Sequence, residues 1–165
     1  MKILVLSDSH SALSFMYRCV KVVRPDAIIH LGDYYDDGEA LAEEFPHIRF
    51  YQVAGNCDRY RAPFSAREIL ILPVLGVNLY MTHGHKHNVK FTTGDLIWDA
   101  QKAKVDAVLY GHTHIAECYQ EDDGMWVLNP GSAGSYGGSA GIIEVEQGKI
   151  NRCYLIGQRE LEEMV

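Results

Sequence analysis

The chain has 165 residues, 47% hydrophobic and 22% charged. At about one domain's length, that is the composition of an ordinary globular fold that closes its core without disulfides. Fifteen Lys and Arg against 22 Asp and Glu leave a net charge of −7, which excludes a protein that holds nucleic acid or an anionic membrane through bulk positive charge.

Residues 2–6 are an apolar, partly β-branched run that predicts a buried strand. The run gives way to Ser7-Asp8, so it is too short for a secretory signal or a membrane span. Ser9 or Ser11 caps the next segment, where Leu13, Met16, Tyr17 and Val20 recur at helical spacing until Pro25 stops the helix. A second buried strand is predicted at 27–31, turned by Gly32-Asp33. A short helix at 38–45 ends before Pro46, and a third strand at 48–53 runs into Gly55-Asn56. This β-α-β-α-β order favours parallel strands with helices packed on them.

Beyond Pro63 the pattern changes. Segments 68–72 and 77–81 read as a hairpin joined by Pro73-Val74-Leu75-Gly76. A helix is predicted over 95–104, with Leu96, Trp98, Ala100 and Ala103 inward, then a buried strand at 107–110. The remainder is strand-rich, at 115–120, 125–128, 141–146 and 150–156, with turns at Asp122-Asp123-Gly124 and Gln147-Gly148. A parallel half joined to a half richer in antiparallel pairs predicts two sheets packed face to face, helices outside. Cys19, Cys57, Cys118 and Cys153 lie far apart with no C-x-x-C pair, so reduced thiols in a cytoplasmic protein are expected. No repeat or low-complexity tract divides the chain, and one domain over residues 1–165 is expected.

The residues that follow the strands carry the chemistry. Asp8 and His10 follow the first strand, Asp33 the second and Asn56 the third; His83 follows the hairpin, and His112 and His114 follow the strand at 107–110. Each has an ordinary explanation alone: Asp8 as a helix cap, Asp33 and Asn56 as turn formers, His83 as a solvated loop residue. In His112-Thr113-His114 both imidazoles face one side if the backbone stays extended. Their joint position outweighs these readings, because ligands of open α/β sheets bind outside the carboxyl ends of the strands.

Asp, His and Asn without Cys suit Mn²⁺, Zn²⁺ or Fe, and the hard oxygens tilt the choice toward Mn²⁺. Seven side chains are too many for one ion that keeps an open position, but they suit two if a carboxylate bridges. Paired ions at about 3.5–4 Å clamp a phosphoryl group and generate hydroxide at neutral pH. An acidic chain can therefore still attract a phosphate.

Asp8-Ser9-His10, Gly32-Asp33, Gly55-Asn56-Cys57-Asp58, Thr82-His83-Gly84-His85 and Gly111-His112-Thr113-His114 resemble the five blocks of the calcineurin-like metallophosphoesterases, in the family's order. The short length, Gly-Asn-Cys-Asp in the third block and Asn129-Pro130-Gly131-Ser132 are similar to its small prokaryotic phosphodiesterase branch. The resemblance implies an α/β fold with mixed sheets, a four-layer α/β/β/α sandwich, and two divalent ions: Mn²⁺ first, with Ni²⁺, Zn²⁺ or Fe as alternatives. By match to the blocks, Asp8, His10 and His114 hold one ion, Asn56, His83 and His112 the other, and Asp33 bridges. A bridging hydroxide then attacks phosphorus in line, and the substrate implied is a small phosphodiester.

Many relatives carry His where this chain has Cys57, and that His is thought to protonate the leaving group with support from the acid beside it. A thiol with reference pKa about 8.5 is a poor substitute, so activity biased toward good leaving groups is expected. The alternative for Cys57 is a small buried packing residue. Asp58 either orients a group at the site or pairs with Arg59 at the surface. His85 is placed to touch a phosphate oxygen, His87 is expected in solvent, and His30 as a buried hydrogen-bonded residue. Three other functions stand beside the diesterase: a non-catalytic metal-binding interaction scaffold on the same fold, a phosphomonoesterase, and a nuclease for short oligonucleotides. A homo-oligomer contact through apolar residues between Ile69 and Leu75, or near Met164, is a further expectation.

Overall fold

Alternation of apolar side chains decides the layering. In the computed structural model, which describes residues 1–165, strand β1 (Lys2–Leu6) sends Ile3 and Val5 into one core and Leu4 and Leu6 into another, all fully buried. A strand with two apolar faces has to lie between two layers. The same alternation recurs in β2 (Ala27–His30), with Ala27 and Ile29 against Ile28, and in β9 (Ser139–Glu146), with Ile143 and Val145 against Ala140 and Ile142.

These strands belong to one mixed sheet. Its order is β10 (Lys149–Gly157), β9, β1, β2, β3 (Arg49–Gln52); β1, β2 and β3 are parallel, and β9 and β10 antiparallel. The second sheet runs β4 (Ile69–Val74), β5 (Val77–Thr82), β6 (Ala107–Leu109), β8 (Trp126–Asn129), β7 (Glu117–Gln120), parallel in its centre and antiparallel at both edges.

Leu79, Met81, Leu109 and Leu128 of the second sheet meet Ile3, Val5 and Ile29 of the first in a core of 16 buried residues between the sheets. Outside the first sheet lie α1 (Leu13–Val23), α2 (Tyr35–Glu44) and α4 (Gln158–Glu163), which bury Met16, Cys19, Val20, Leu41 and Leu161. Outside the second lies α3 (Gly94–Lys102), with Leu96 and Ala100 packed on Tyr80, Val108 and Val127. The result is the four-layer α/β/β/α sandwich. Truncating a residue of the shared core such as Leu79 to Ala costs about 2–5 kcal/mol.

Four local expectations change. The C-terminal hairpin β9–β10 does not extend the second sheet but returns to β1, because both faces of β9 are apolar and β1 offers a free edge. Helix α2 starts at Tyr35, three residues early, with Asp36 and Asp37 in its first turn, where the helix dipole favours negative charge. Trp98 and Ala103 are exposed, Trp98 lying under the Lys102 ammonium at 4.7 Å, so Leu96 and Ala100 alone make the buried face of α3. Pro73 sits inside edge strand β4, where no ladder N–H is needed, and only Leu75-Gly76, both at positive φ (45° and 86°), make the turn. No helix is long and apolar enough to cross a membrane.

Candidate metal centre

Strands β1, β2 and β3 of one sheet and β5 and β6 of the other end beside one another, and their trailing loops bring the sequence-predicted residues together. Donor atoms of Asp8, His10 and His114 lie within 4.8 Å of one another, and those of Asp33, His83 and His112 form a second such group. The two groups adjoin: His83 Nε2 is 3.4 Å from Asp33 Oδ2 and 3.8 Å from Asp8 Oδ1, and Asn56 Oδ1 is 3.0 Å from His83 Nε2. Ring centroids of His10 and His114 are 5.2 Å apart, and those of His83 and His112 5.0 Å.

The hydrogen bonds around these groups aim lone pairs inward. His83 Nδ1 lies 2.9 Å from the Leu31 carbonyl; a carbonyl only accepts, so Nδ1 carries a proton and Nε2 is turned to the Asp33 and Asn56 oxygens, acceptors themselves, where only a proton or a cation can join them. Asp8 Oδ2 accepts from Ser7 Oγ (2.6 Å) and from the His112 N–H (3.0 Å), which orients Oδ1 toward His114 Nε2 at 3.1 Å. Yet Asp8 Oδ1 and His10 Nε2, both buried atoms, have no hydrogen-bond partner. Buried polar atoms are almost always satisfied. A pair left bare amid further carboxylate and imidazole donors fits divalent cations of the Mn²⁺ or Zn²⁺ type.

The charges fit as well. Burial alone would raise the Asp33 carboxyl, but His83 and the Cys57 N–H hold it well below the usual carboxylate range. Burial disfavours charged His83, yet Asp33 and Asp8 outweigh it and shift the imidazole up. His112 is pushed down to about 4 by burial and then by His83, so it is a neutral imidazole with a lone pair to give. Burial and His83 also lower His85.

The backbone is held under strain here. Asp8, His10, Asp33, His112 and His114 all adopt positive φ, between 44° and 70°. Such conformations are uncommon outside glycine and cost of order 1–3 kcal/mol each unless the surroundings fix them. The surroundings do. The Asp8 N–H donates to Gly32 O at 3.0 Å, while the Asp8 carbonyl accepts from Ser132 Oγ at 2.8 Å and the Gly134 N–H at 3.2 Å. Glycine is needed at 55 and 111, because a Cβ would run into the Asp33 carboxylate at one and the Ser7 and Asp8 side chains at the other.

Over residues 1–148 the chain matches the family model described as the calcineurin-like phosphoesterase superfamily domain. It belongs to that superfamily. A probable metallophosphoesterase of Mycoplasma pneumoniae is 32% identical over 134 residues, covering 79% of this chain and 78% of the relative. Among solved structures, an archaeal phosphodiesterase superposes with TM-score 0.73 at 23% identity, covering 95% of this chain and 99% of its own. Zinc-complexed Vps29 of Entamoeba histolytica superposes with TM-score 0.72 at 20% identity, covering 96% and 99%. At these identities the two structures speak to the fold. Family membership together with the two candidate groups makes the chain a metal-dependent phosphoesterase.

In this phosphoesterase the structure decides between the alternatives for Asp58 and Cys57 and moves His87. Asp58 is buried and makes no surface pair with Arg59: Oδ2 accepts from the Asp33 (2.9 Å) and Gly55 (2.7 Å) amides and Oδ1 from the Tyr35 amide (2.8 Å). It is a clamp between the loops after β2 and β3, and all its acceptor capacity toward the site is used on the backbone. Cys57 is exposed, which removes the packing reading. Its thiol is pushed up by partial desolvation and by Asp33, and it stays protonated at neutral pH. His85 lies with its ring 5.5 Å from His83 and its Nε2 3.2 Å from Glu68 Oε1. His87 is buried rather than solvated, tied to Asp99 at 3.1 Å and the Tyr80 hydroxyl at 3.4 Å.

Three supports were missed altogether. Asn129 Nδ2 donates to the Gly111 carbonyl (3.2 Å) and to Thr113 Oγ1 (3.0 Å), bracing the loop that carries His112 and His114. Ser132 fixes the Asp8 carbonyl, and Tyr34 meets His10 edge-on at 4.8 Å with the Arg61 guanidinium 3.8 Å from its ring centroid. The Asn129-Pro130-Gly131-Ser132 run was the available signal for the first two; nothing local marks Tyr34.

Proposed function

We propose that the protein is a phosphodiesterase that hydrolyses small phosphodiesters with two divalent ions, Mn²⁺ the first choice. The observation that carries this reading is the pair of adjoining donor groups, with buried Asp8 Oδ1 and His10 Nε2 lacking any hydrogen-bond donor. Asp8, His10 and His114 would hold one ion, and Asn56, His83 and His112 the other, with Asp33 between them. Such ions supply positive charge to the phosphoryl oxygens and make water nucleophilic at neutral pH.

The chain's own work is positioning. Leu31 O holds His83 in the tautomer that offers Nε2, Ser7 and the His112 amide turn the Asp8 carboxylate, and the Asp58 clamp keeps Asp33 and Asn56 in register. Cys57, exposed and protonated beside Asn56, is an available proton donor at the ligands, and a weak one. Weak acid help favours esters with good leaving groups. An interaction scaffold with a decayed site is disfavoured by the complete set of seven side chains. The proposed unit is one domain over residues 1–165, and its proposed compartment is the cytoplasm, supported by four free thiols.

Metal-stripped protein reloaded with Mn²⁺, Ni²⁺ or Zn²⁺ and assayed on bis(p-nitrophenyl) phosphate and p-nitrophenyl phosphate tests the proposal. Diester turnover above monoester turnover is expected; absence of diester turnover with every metal overturns it.

A further inference from the structure

Beside the donor groups opens a groove of about 520 Å³, within the usual range for a small-molecule site. Asn56 and His85, which face the donor groups, line it together with Ala62, Pro63, Arg59 and Phe64. Phe64 is fully exposed. A scattered exposed Phe needs no explanation, but this ring lines the groove that leads away from the phosphate-binding side chains.

The charges in the groove are arranged unevenly. Glu68, also in the lining, is engaged by His85 Nε2 at 3.2 Å and by Lys86 Nζ at 3.3 Å. Arg59 has no carboxylate within ion-pair distance; its guanidinium lies 5.5 Å from the Tyr60 ring. One unpaired cation and one unpartnered aromatic face thus share a groove continuous with the donor groups. The complement of that arrangement is an anion with an aromatic substituent.

We propose that this groove is a binding subsite for one ester arm of the substrate, and that it takes an aromatic or heteroaromatic arm, the Phe64 ring supplying the contact surface and Arg59 the attraction for the diester anion. The assignment rests on the phosphodiesterase reading above and names its substrate class. Aromatic contacts of this kind, together with the apolar area they cover, correspond to about a tenfold gain in affinity.

Calorimetric titration of the Mn²⁺-loaded protein with diphenyl phosphate and with dimethyl phosphate is the test, because neither titration depends on turnover. Diphenyl phosphate is expected to bind about tenfold more tightly. Phe64→Ala should bring the two within about twofold while leaving dimethyl phosphate unchanged, and Arg59→Ala should weaken both by a similar factor. Both substitutions are at exposed positions, so folding is not at stake. Equal binding of the two phosphates, binding of neither, or a preference that survives Phe64→Ala overturns the subsite. Turnover of bis(p-nitrophenyl) phosphate is measured on the same samples. An intact aromatic preference without turnover would overturn the enzyme reading instead and leave an aromatic-anion site.

Discussion

The two donor groups are built differently. The Asp33, His83 and His112 group is mostly buried, and its charges answer one another: His83 stands between Asp33 and Asp8, and Asp33 also accepts the Cys57 N–H at 2.9 Å. The Asp8, His10 and His114 group runs from a buried carboxylate to an exposed imidazole, and two of its buried atoms have no hydrogen-bond partner. One group is therefore largely organised by the protein, and the other is less so. Pre-organisation and exposure should separate the two in stability, in metal release and in tolerance to substitution.

The largest contrast is expected between His83→Ala and His114→Ala. Removing His83 takes away the imidazole that stands between the buried Asp33 and Asp8 carboxylates, which costs about 3–5 kcal/mol, so metal-free His83→Ala should melt well below the parent in thermal unfolding. His114 is exposed apart from its contact with Asp8 Oδ1 at 3.1 Å, and its removal should cost metal-free stability less, about 1 kcal/mol or below. Both should lower Mn²⁺-dependent diester turnover by at least about a hundredfold, the upper range for disturbing even the residues behind metal ligands. Similar melting of the two variants breaks the comparison.

Asp58→Ala comes next, because it strands three backbone amides that belong to the second group's loops. A loss of about 2–4 kcal/mol is expected, together with a fall in kcat larger than any rise in KM. Asp58→Asn, which retains an acceptor oxygen, should recover part of both. An unchanged kcat in Asp58→Ala would show that the clamp is not needed for alignment.

His30 gives a pH signature on the β2 side. It is fully buried against Ser9 Oγ at 3.1 Å, and burial pulls it down to about 4 from 6.5. The folded protein therefore resists protonation more than the unfolded chain does. The stability this contributes is present above pH 6.5 and is lost as pH falls from there toward 4, a change on the order of 3 kcal/mol. Chemical denaturation across that window should show a slope that His30→Gln reduces, His112 and His85 contributing the rest; an identical slope in the variant contradicts the assignment.

The smallest effect expected is at Cys57. Replacing it with His supplies a better acid, and the gain should be about tenfold on diesters with poor leaving groups and negligible on p-nitrophenyl esters, at the low end for general-acid help or below it. A uniform change across leaving groups points away from proton donation.

The parts of this arrangement legible in sequence were those with a period or a punctuation mark. The doubly apolar runs at β1 and β2 announced strands buried on both faces, and polar residues directly after them announced a rim of donors. What could not be read depends on long-range contact or on backbone conformation. Ser132 reaches the Asp8 carbonyl from 124 residues away, and the return of β9 to β1 follows from which edge is free. Positive φ at Asp8, His10, Asp33, His112 and His114 is only weakly marked in sequence: none of the five is glycine, although Asp and His are among the other residues that adopt it most often. The extended backbone assumed for His112-Thr113-His114 is in fact left-handed at both histidines, which converge on different donor groups, Asp33 and His83 for one and Asp8 and His10 for the other. Asp58 was legible only in part: its bond to the Gly55 amide is local, whereas those to Asp33 and Tyr35 cross between loops.

Two donor groups built so differently should hold two ions of unequal tenacity. Metal analysis of Mn²⁺-loaded protein during stepwise chelation, with diester turnover followed in parallel, is the direct test. Two ions per chain are expected, one released well before the other, the early release advanced further by His114→Ala, and turnover falling with the first ion lost. A single ion per chain, or undiminished turnover after both are removed, would contradict it.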